Sequence, residues 1–448
     1  MCYRIVSFCC AFILSLSFSG QAMALQVQEV MSKSGIRAWL VEDHSAPLFA
    51  LHFAFRGGVE QDAPAQQGLS VILADTLTEG AGKRDARAFQ QALAAHGVSF
   101  GLDAGRDVIS GALYGLTSEL KVATELAHDS LTKPRFDAEA LTRVKQHQLG
   151  AISARLADPD WQARRALYAT IFPDHPYSYR SLGTAESVNK LRPQDLKAAF
   201  KKRLARDNLL VAMVGDITPD ALAVLLDEIF ADLPASAALH SVPDIDAPLH
   251  GQTIHLAQEG GQSILLFAAP GIKRNDADWH AASLLNYILG GGGFESRLMA
   301  EVRDKRGLTY GINTSLAAME HGGLLVGDAK TANAKAGEAW QTTREVWDHV
   351  WRNGVTADEL KAAQDYSIGS LATGFTSSSA VAGVLLSLQK ENLSKDYLDQ
   401  RAALLRAVTV EDVARVAKRL LNPARLTLIS VGDPDGIKPD KEEEFVHE

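Results

Sequence analysis

Two side chains in this 448-residue sequence have the types and spacing to act on one carbonyl group. Arg303 and Tyr310 stand seven residues apart within YILGGGGFESRLMAEVRDKRGLTYGINTSL, residues 287–316. A guanidinium fork and a phenol both donate hydrogen bonds, so together they can hold a carbonyl oxygen and stabilise the charge that develops on it under attack. The plainer alternative is an arginine in a helix-end ion pair with Glu301 or Asp304, beside a half-buried strand tyrosine. For a lone arginine and tyrosine at this spacing the plainer reading would hold; around this pair lie the glycines Gly290, Gly291, Gly292 and Gly293, the triplet Ser296-Arg297-Leu298, and Arg306-Gly307-Leu308, whose weight comes from the resemblance given below.

The pattern predicts a helix from about Glu295 to Lys305, a stop at Gly307 and a strand from Leu308. The glycine run reads either as a helix end with a flexible connection or as a loop lining a binding chamber. It is no phosphate cradle, because no Gly-Lys-Ser/Thr follows and G-x-G-x-x-G fails at Glu295. The G-x-S-x-G at residues 97–101 follows the helical pattern DARAFQQALAAHG instead of leading from a strand into a helix, so a serine hydrolase has no support.

Metal chemistry is poorly provided for. No two histidines lie three or four residues apart, the nearest pair being His250 and His255, and all three cysteines (Cys2, Cys9, Cys10) fall in the first 24 residues. A helix bearing two imidazoles on one face, as zinc requires, is therefore excluded. Asp75 and Glu79, spaced i, i+4 in GLSVILADTLTEG (68–80), could meet a hard cation, though such a pair is more often a solvated surface. The same stretch predicts a structural helix with Leu69, Ile72, Leu73 and Leu77 as its buried stripe.

The elements behind these residues come in two sets. Residues 190–216 (KLRPQDLKAAFKKRLARDNLLVAMVGD) align without a gap on 407–433 (AVTVEDVARVAKRLLNPARLTLISVGD) at an offset of 217, each giving an amphipathic helix, an apolar strand and Val-Gly-Asp. FDAEAL at 136 and VTADEL at 355 read as one repeated helix start, with Asp137 and Thr356 as N-caps. A duplicated unit of roughly 200 residues follows, too long for a solenoid repeat. Hairpins mixed with long helices, the first joined at Ser34-Gly35, point to an α+β fold of two homologous halves, each a mostly antiparallel sheet packed with helices. The halves are expected at 25–233 and 253–434, with an exposed Pro-rich linker at 234–252 and a frayed acidic tail at 435–448.

Residues 1–24 have the form of an export signal: Arg4, a 14-residue apolar run from Ile5 to Phe18, then Ala22-Met23-Ala24. Cleavage would leave Leu25 first and a chain with no cysteine. Its charge would be 44 Lys+Arg against 54 Asp+Glu, a net −10, since only Arg4 is lost from the 45 basic residues. That balance argues against nucleic acid as a partner, and no later run is long enough for a membrane span. The expected location is the periplasm of a Gram-negative source, or outside the cell otherwise.

With these residues in hand, the sequence resembles the insulinase (pitrilysin) family of metallopeptidases in both halves. Its second-half segment resembles the family pattern L-G-G-G-x-x-S-R-L-x-x-x-[LVI]-R-x-x-x-G-L-x-Y, with one residue more between Leu289 and Ser296, and the resemblance implies that Arg303 and Tyr310 are the pair that grips peptide near the scissile bond. In the first half the family's H-x-x-E-H motif falls on residues 71–75, where Val71 and Asp75 replace the histidines and Ala74 replaces the general base. The last zinc ligand, a glutamate expected within 146–155, has no acid to stand for it. The resemblance implies a non-zinc subunit: no metal or cofactor in this chain, zinc in an H-x-x-E-H partner, and unfolded peptide as the substrate of the pair. It also admits an inert scaffold of the same fold, like core subunits of respiratory complexes.

Overall fold

The computed structural model describes residues 25–446, so the expected leader, 1–24, lies outside the described residues. The first half supplies β1 (Gln28–Met31), β2 (Arg37–Glu42), β3 (Leu48–Arg56), β4 (Ser99–Ala104), β5 (Val108–Leu116) and β6 (Leu209–Gly215), forming one sheet in the order β1-β2-β6-β3-β5-β4. The second half supplies β7 (Thr253–Ala257), β8 (Gln262–Pro270), β9 (Ile312–Met319), β10 (Gly322–Ala332), β11 (Thr427–Gly432) and β12 (Lys441–Glu443), in the order β12-β7-β11-β8-β10-β9. The orders match strand for strand at five positions, and at the sixth β1 and β12 take the same edge from opposite ends of their halves. The pairs β2/β6, β7/β11 and β7/β12 are parallel and the rest are antiparallel, which gives the α+β architecture of two like halves.

The helices that matter below are α1 (Leu69–Thr76), α2 (Ala138–Leu156), α3 (Pro159–Ile171), α4 (Pro193–Arg203), α5 (Trp279–Asn286), α6 (Ala357–Gly369), α7 (Ser378–Lys390) and α8 (Val410–Leu420). The repeat read from sequence is α4 into β6 and α8 into β11. Both α6 and α8 open on a capping box, Thr356 with Glu359 and Thr409 with Asp412, which satisfies backbone donors the helix itself leaves free. At α2 the expectation for Asp137 needs correcting: it sits at the N-cap position, but its carboxylate goes to Arg135 Nε at 2.6 Å instead of to the helix backbone.

A finer mark of duplication lies in the ladders. Phe53 on β3 faces Gly111 on β5, and Phe267 on β8 faces Gly327 on β10. In each case the ring occupies the space a side chain would need, for a Cβ on either glycine would meet the phenyl at 2.2–2.3 Å. The phenylalanine fills what the glycine leaves, so the two must be read as one packing unit.

The halves also exchange a helix. From the first half, α3 lays Ala163, Ala166, Leu167 and Ile171 on the second sheet, against Leu256, Leu266, Ala268 and Ile429. Its counterpart α7 lays Val381, Ala382, Leu385 and Leu386 on the first sheet, against Trp39, Val41, Ala50 and Val214. Each sheet is therefore apolar on both faces, which is why β3 and β11 read as continuous hydrophobic runs. With about 1.5–3 kcal/mol for each large aliphatic side chain buried, this exchange couples the halves strongly.

Two expectations about the connections are corrected. Residues 234–252 carry no helix or strand, yet they are not simply exposed: Val242, Ala247 and Leu249 are buried, the last two in the same core as α3. The acidic tail does not fray at 441–446, because Lys441–Glu443 pairs with β7, and Val446 exchanges hydrogen bonds with the buried Gln162 of α3. Thus β12 takes the edge position in the second sheet that β1 takes in the first.

Candidate functional site

The degenerate helix α1 is built as core. Leu69, Ile72, Leu73 and Leu77 are buried as the apolar stripe requires, and Ala74 is fully buried among them. Its first residue follows Gly68, whose φ of 90° and closeness to the Leu182 carbonyl exclude any side chain. Gly68 offers no capping group, so Asp62 does the capping from a distance, accepting from the Ser70 amide at 3.2 Å and the Ser70 hydroxyl at 2.7 Å. Asp62 is itself paired with Arg203 of α4 at 2.9 Å, both side chains almost wholly buried. From α2, the buried Gln148 donates to the Gly68 carbonyl at 3.2 Å.

These contacts fix the helix but do not make a metal site. Val71 packs against the core. Asp75 is half-buried and its carboxyl is pushed up by burial, with Asp103 and Glu79 adding to the effect and His147 opposing it. The helix ends at Thr76, and Glu79 in the turn beyond is paired with Arg143 at 2.5 Å, so Asp75 and Glu79 are not a free pair for a cation. Among the described residues no cluster of three or more His, Cys, Asp and Glu could hold a metal. One carboxylate flanked by valine and alanine does not fit zinc.

In the second half the glycine run differs from the expected loop. After α5 the helix widens into a π-type turn over Tyr287–Gly291, and Gly290 is buried where a Cβ would strike Thr314 of β9 at 2.6 Å. Only Gly293, with φ of 59°, sits at a true turn. A short 3-10 turn, Gly293–Glu295, then carries Phe294 to the surface. Ser296, fully buried, donates to the Gly293 carbonyl at 2.8 Å and accepts from the Met299 amide.

The helix predicted for 295–305 proves shorter and wider, a π-type stretch over Met299–Asp304. Such widenings recur at functional sites. It stops where expected: the Gly307 amide bonds the Arg303 carbonyl at 2.8 Å, and the Leu308 amide bonds that of Val302 at 2.9 Å. The strand, however, begins at Ile312, not Leu308. Thr309 explains the delay, since its hydroxyl bonds the carbonyls of Gly311 and Lys330 and so competes with the ladder.

This local bonding presents the pair. Leu308 and Thr309 are buried and tied to β10, whereas Tyr310 between them and β9 is 89% exposed, and no described residue bonds its hydroxyl. The Arg303 guanidinium lies 4.7 Å over the Phe294 ring and is paired with Asp304 at 2.9 Å. The helix-end pairing weighed above is thus present for Asp304, while Glu301 is taken by Lys305 and Arg306. Neither Arg303 nor Tyr310 lines the neighbouring hollow of about 420 Å³, which is bounded by Arg297, Ala300, Glu301 and Glu359. Tyr310 stands on open surface, and Arg303 is half-buried against Phe294.

Two residues that the motif reading left without a role hold this surface together. Arg297 grips Glu359 of α6 through a two-pronged ion pair, and Tyr287 stacks on Tyr366 of α6 at 5.0 Å. Burial pushes the Tyr287 phenol up, with Tyr366 and Glu295 contributing. Only the unassigned Arg297 in Ser296-Arg297-Leu298 hinted at the first contact.

Comparison with known proteins gives a consistent answer. Residues 190–366 match the family model described as Peptidase M16 inactive domain. A solved structure described as a peptidase M16 inactive domain, from Pseudomonas fluorescens, superposes with a TM-score of 0.85 at 30% identity, covering 93% of this chain and all of that one. A non-peptidase homolog, YmxG of Helicobacter pylori, is 28% identical over 81% of this chain and 84% of its own length. An uncharacterized zinc protease of Mycobacterium bovis is 26% identical over 68% of this chain and 70% of its own.

Proposed function

The chain belongs to the peptidase M16 family, the insulinase or pitrilysin family, and from that premise we propose that it is the exported non-zinc subunit of a two-chain metallopeptidase. In this reading a second M16 chain with an intact H-x-x-E-H helix carries out hydrolysis. Arg303 and Tyr310 of the present chain hold the backbone of an unfolded peptide and polarise its carbonyl.

The observation that carries the proposal is Tyr310: a phenol almost wholly exposed, with no bonding partner among the described residues, on backbone fastened on both sides. A side chain presented this way has no role in packing its own fold. The open position of Tyr310 supports the two-chain form, because a closed chamber over it needs a wall from another molecule. At the other end, α1 keeps its buried stripe but has Val71, Ala74 and Asp75 in place of the zinc motif, which leaves a single carboxylate.

The test is reconstitution. Alone, the purified chain is expected to cut no peptide; mixed with an H-x-x-E-H chain from the same organism, it restores cleavage. In that mixture Arg303→Ala or Tyr310→Phe slows turnover by about 10²-fold, the size of a lost oxyanion donor. A zinc chain equally active without this subunit sinks the proposal and leaves a scaffold.

A further inference from the structure

Four aromatic side chains are well exposed among the described residues, Phe294 (66%), Tyr310 (89%), Tyr366 (59%) and Tyr114 on β5, and contacts around the π-type turn link Phe294 and Tyr366. Phe294 carries the Arg303 guanidinium. Tyr366 stacks on Tyr287, the residue that opens the π-type turn, at an interplanar angle of 33°. Gly292 makes room for that stack, since a Cβ there would meet the Tyr287 ring at 3.0 Å. The Arg297–Glu359 fork then fastens the turn to α6.

Aromatic rings held in water by such fittings offer contact area with little rotamer freedom left to lose. We propose that Phe294 and Tyr366 are specificity-determining contacts that seat bulky apolar side chains of an extended peptide, on either side of the backbone held by Arg303. This rests on the peptide-binding reading above and adds the class of substrate.

The chemistry of the patch favours a peptide over a fixed protein partner. Arg303, Asp304 and Glu295 are interspersed with the rings, whereas the centre of a stable protein interface is depleted of charge. An extended peptide alternates side chains with carbonyl groups and so needs both apolar seats and donors. Arg303 and the unpartnered Tyr310 hydroxyl supply the donors.

Binding to the full chain alone tests this by fluorescence anisotropy with two labelled unstructured peptides, one containing Phe and Leu and one with Ser and Gly in their places. The apolar peptide is expected to bind about tenfold tighter. Phe294→Ala and Tyr366→Ala each reduce that preference about fivefold, the size of one well-placed aromatic contact. Tyr366→Phe retains the preference, which separates loss of the ring from misfolding. Arg303→Ala weakens both peptides alike.

Absence of binding, or a preference unchanged in both alanine variants, overturns the inference. So do variants that bind peptide normally but fail to co-sediment with the zinc chain, for these residues would then form a subunit interface. Binding that discriminates without supporting cleavage in the mixture keeps this inference and sinks the two-chain protease. Restored cleavage with no discrimination does the reverse.

Discussion

Arg297 donates from Nε and Nη2 to the two carboxylate oxygens of Glu359, each at 2.7 Å, and so ties the turn bearing Phe294 to the helix bearing Tyr366. Glu359 also accepts from the amide and hydroxyl of Thr356, which makes one carboxylate both the cap of α6 and the anchor of the site.

Breaking that fork should loosen the site before it loosens the fold. Arg297→Lys keeps the charge but not the paired geometry, so a loss of about 1–3 kcal/mol is expected, together with weaker peptide binding. The Arg297 guanidinium, aided by Thr356, holds Glu359 down at about 2, against 4.5 for a free glutamate. A depressed carboxylate contributes stability that is complete above 4.5 and is lost as pH falls towards 2. Denaturation midpoints of wild type and Glu359→Gln should therefore differ at pH 6 and converge near pH 2. Parallel curves would remove the fork from the account of α6.

What the sequence made legible was periodic or local. The stripe on α1, the stop at Gly307, the cap at Thr356 and the α4–β6 repeat each depend on neighbours within a few residues, so spacing alone places them. The Phe53–Gly111 and Phe267–Gly327 units, the exchange of α3 and α7, and strand β12 depend on partners tens to hundreds of residues away, and no local pattern announces them. The site shows the same division. Arg303 and Tyr310 can be singled out because a long motif surrounds them, but the widening over Met299–Asp304 and the contact of Tyr366 with Tyr287 follow from packing against β9 and α6. Thr309 illustrates the limit: its side chain, competing with the ladder, moved the strand start by four residues.

Glu60 gives a pH dependence of the opposite sign. One of its carboxylate oxygens is buried with no donor to meet it, and burial, together with Asp107 and Glu320 nearby, pushes the group up to about 9. Asp107 is held in place by the Tyr177 hydroxyl at 2.8 Å and by the Glu320 amide at 3.2 Å, at the junction of the two halves. A proton on Glu60, shared with Asp107, satisfies both acids. Because the folded value lies above the unfolded 4.5, the stability this proton confers is complete below 4.5 and is lost as pH rises towards 9. Glu60→Gln supplies an N–H donor that does not titrate. Its stability should exceed wild type at pH 8 by on the order of 2 kcal/mol and approach it near pH 5. Urea midpoints at the two pH values decide, and equal slopes for both proteins would contradict the shared proton.

The last prediction concerns the strap formed by the C-terminal segment. Gln162 donates from Nε2 to the Val446 carbonyl at 2.8 Å and accepts from the Val446 amide at 3.2 Å, so a buried side-chain amide reads the tail as a neighbouring strand would. Phe445 packs against the core that α3 shares with the second sheet. The three-residue strand β12 has few bonds of its own, and the Gln162 clamp at its far end adds to the pairing of Asp440 with Thr253 that starts its register on β7. Gln162→Ala removes both bonds to the tail, and with them the one that Nε2 gives the Leu156 carbonyl at 2.9 Å, a loss of about 1–3 kcal/mol in all. Hydrogen exchange of the amides at 441–446 should quicken by about tenfold or more, while β8 and β11 keep their protection. If the tail amides exchange as slowly as in the wild type, strand pairing alone holds the segment and the clamp is incidental.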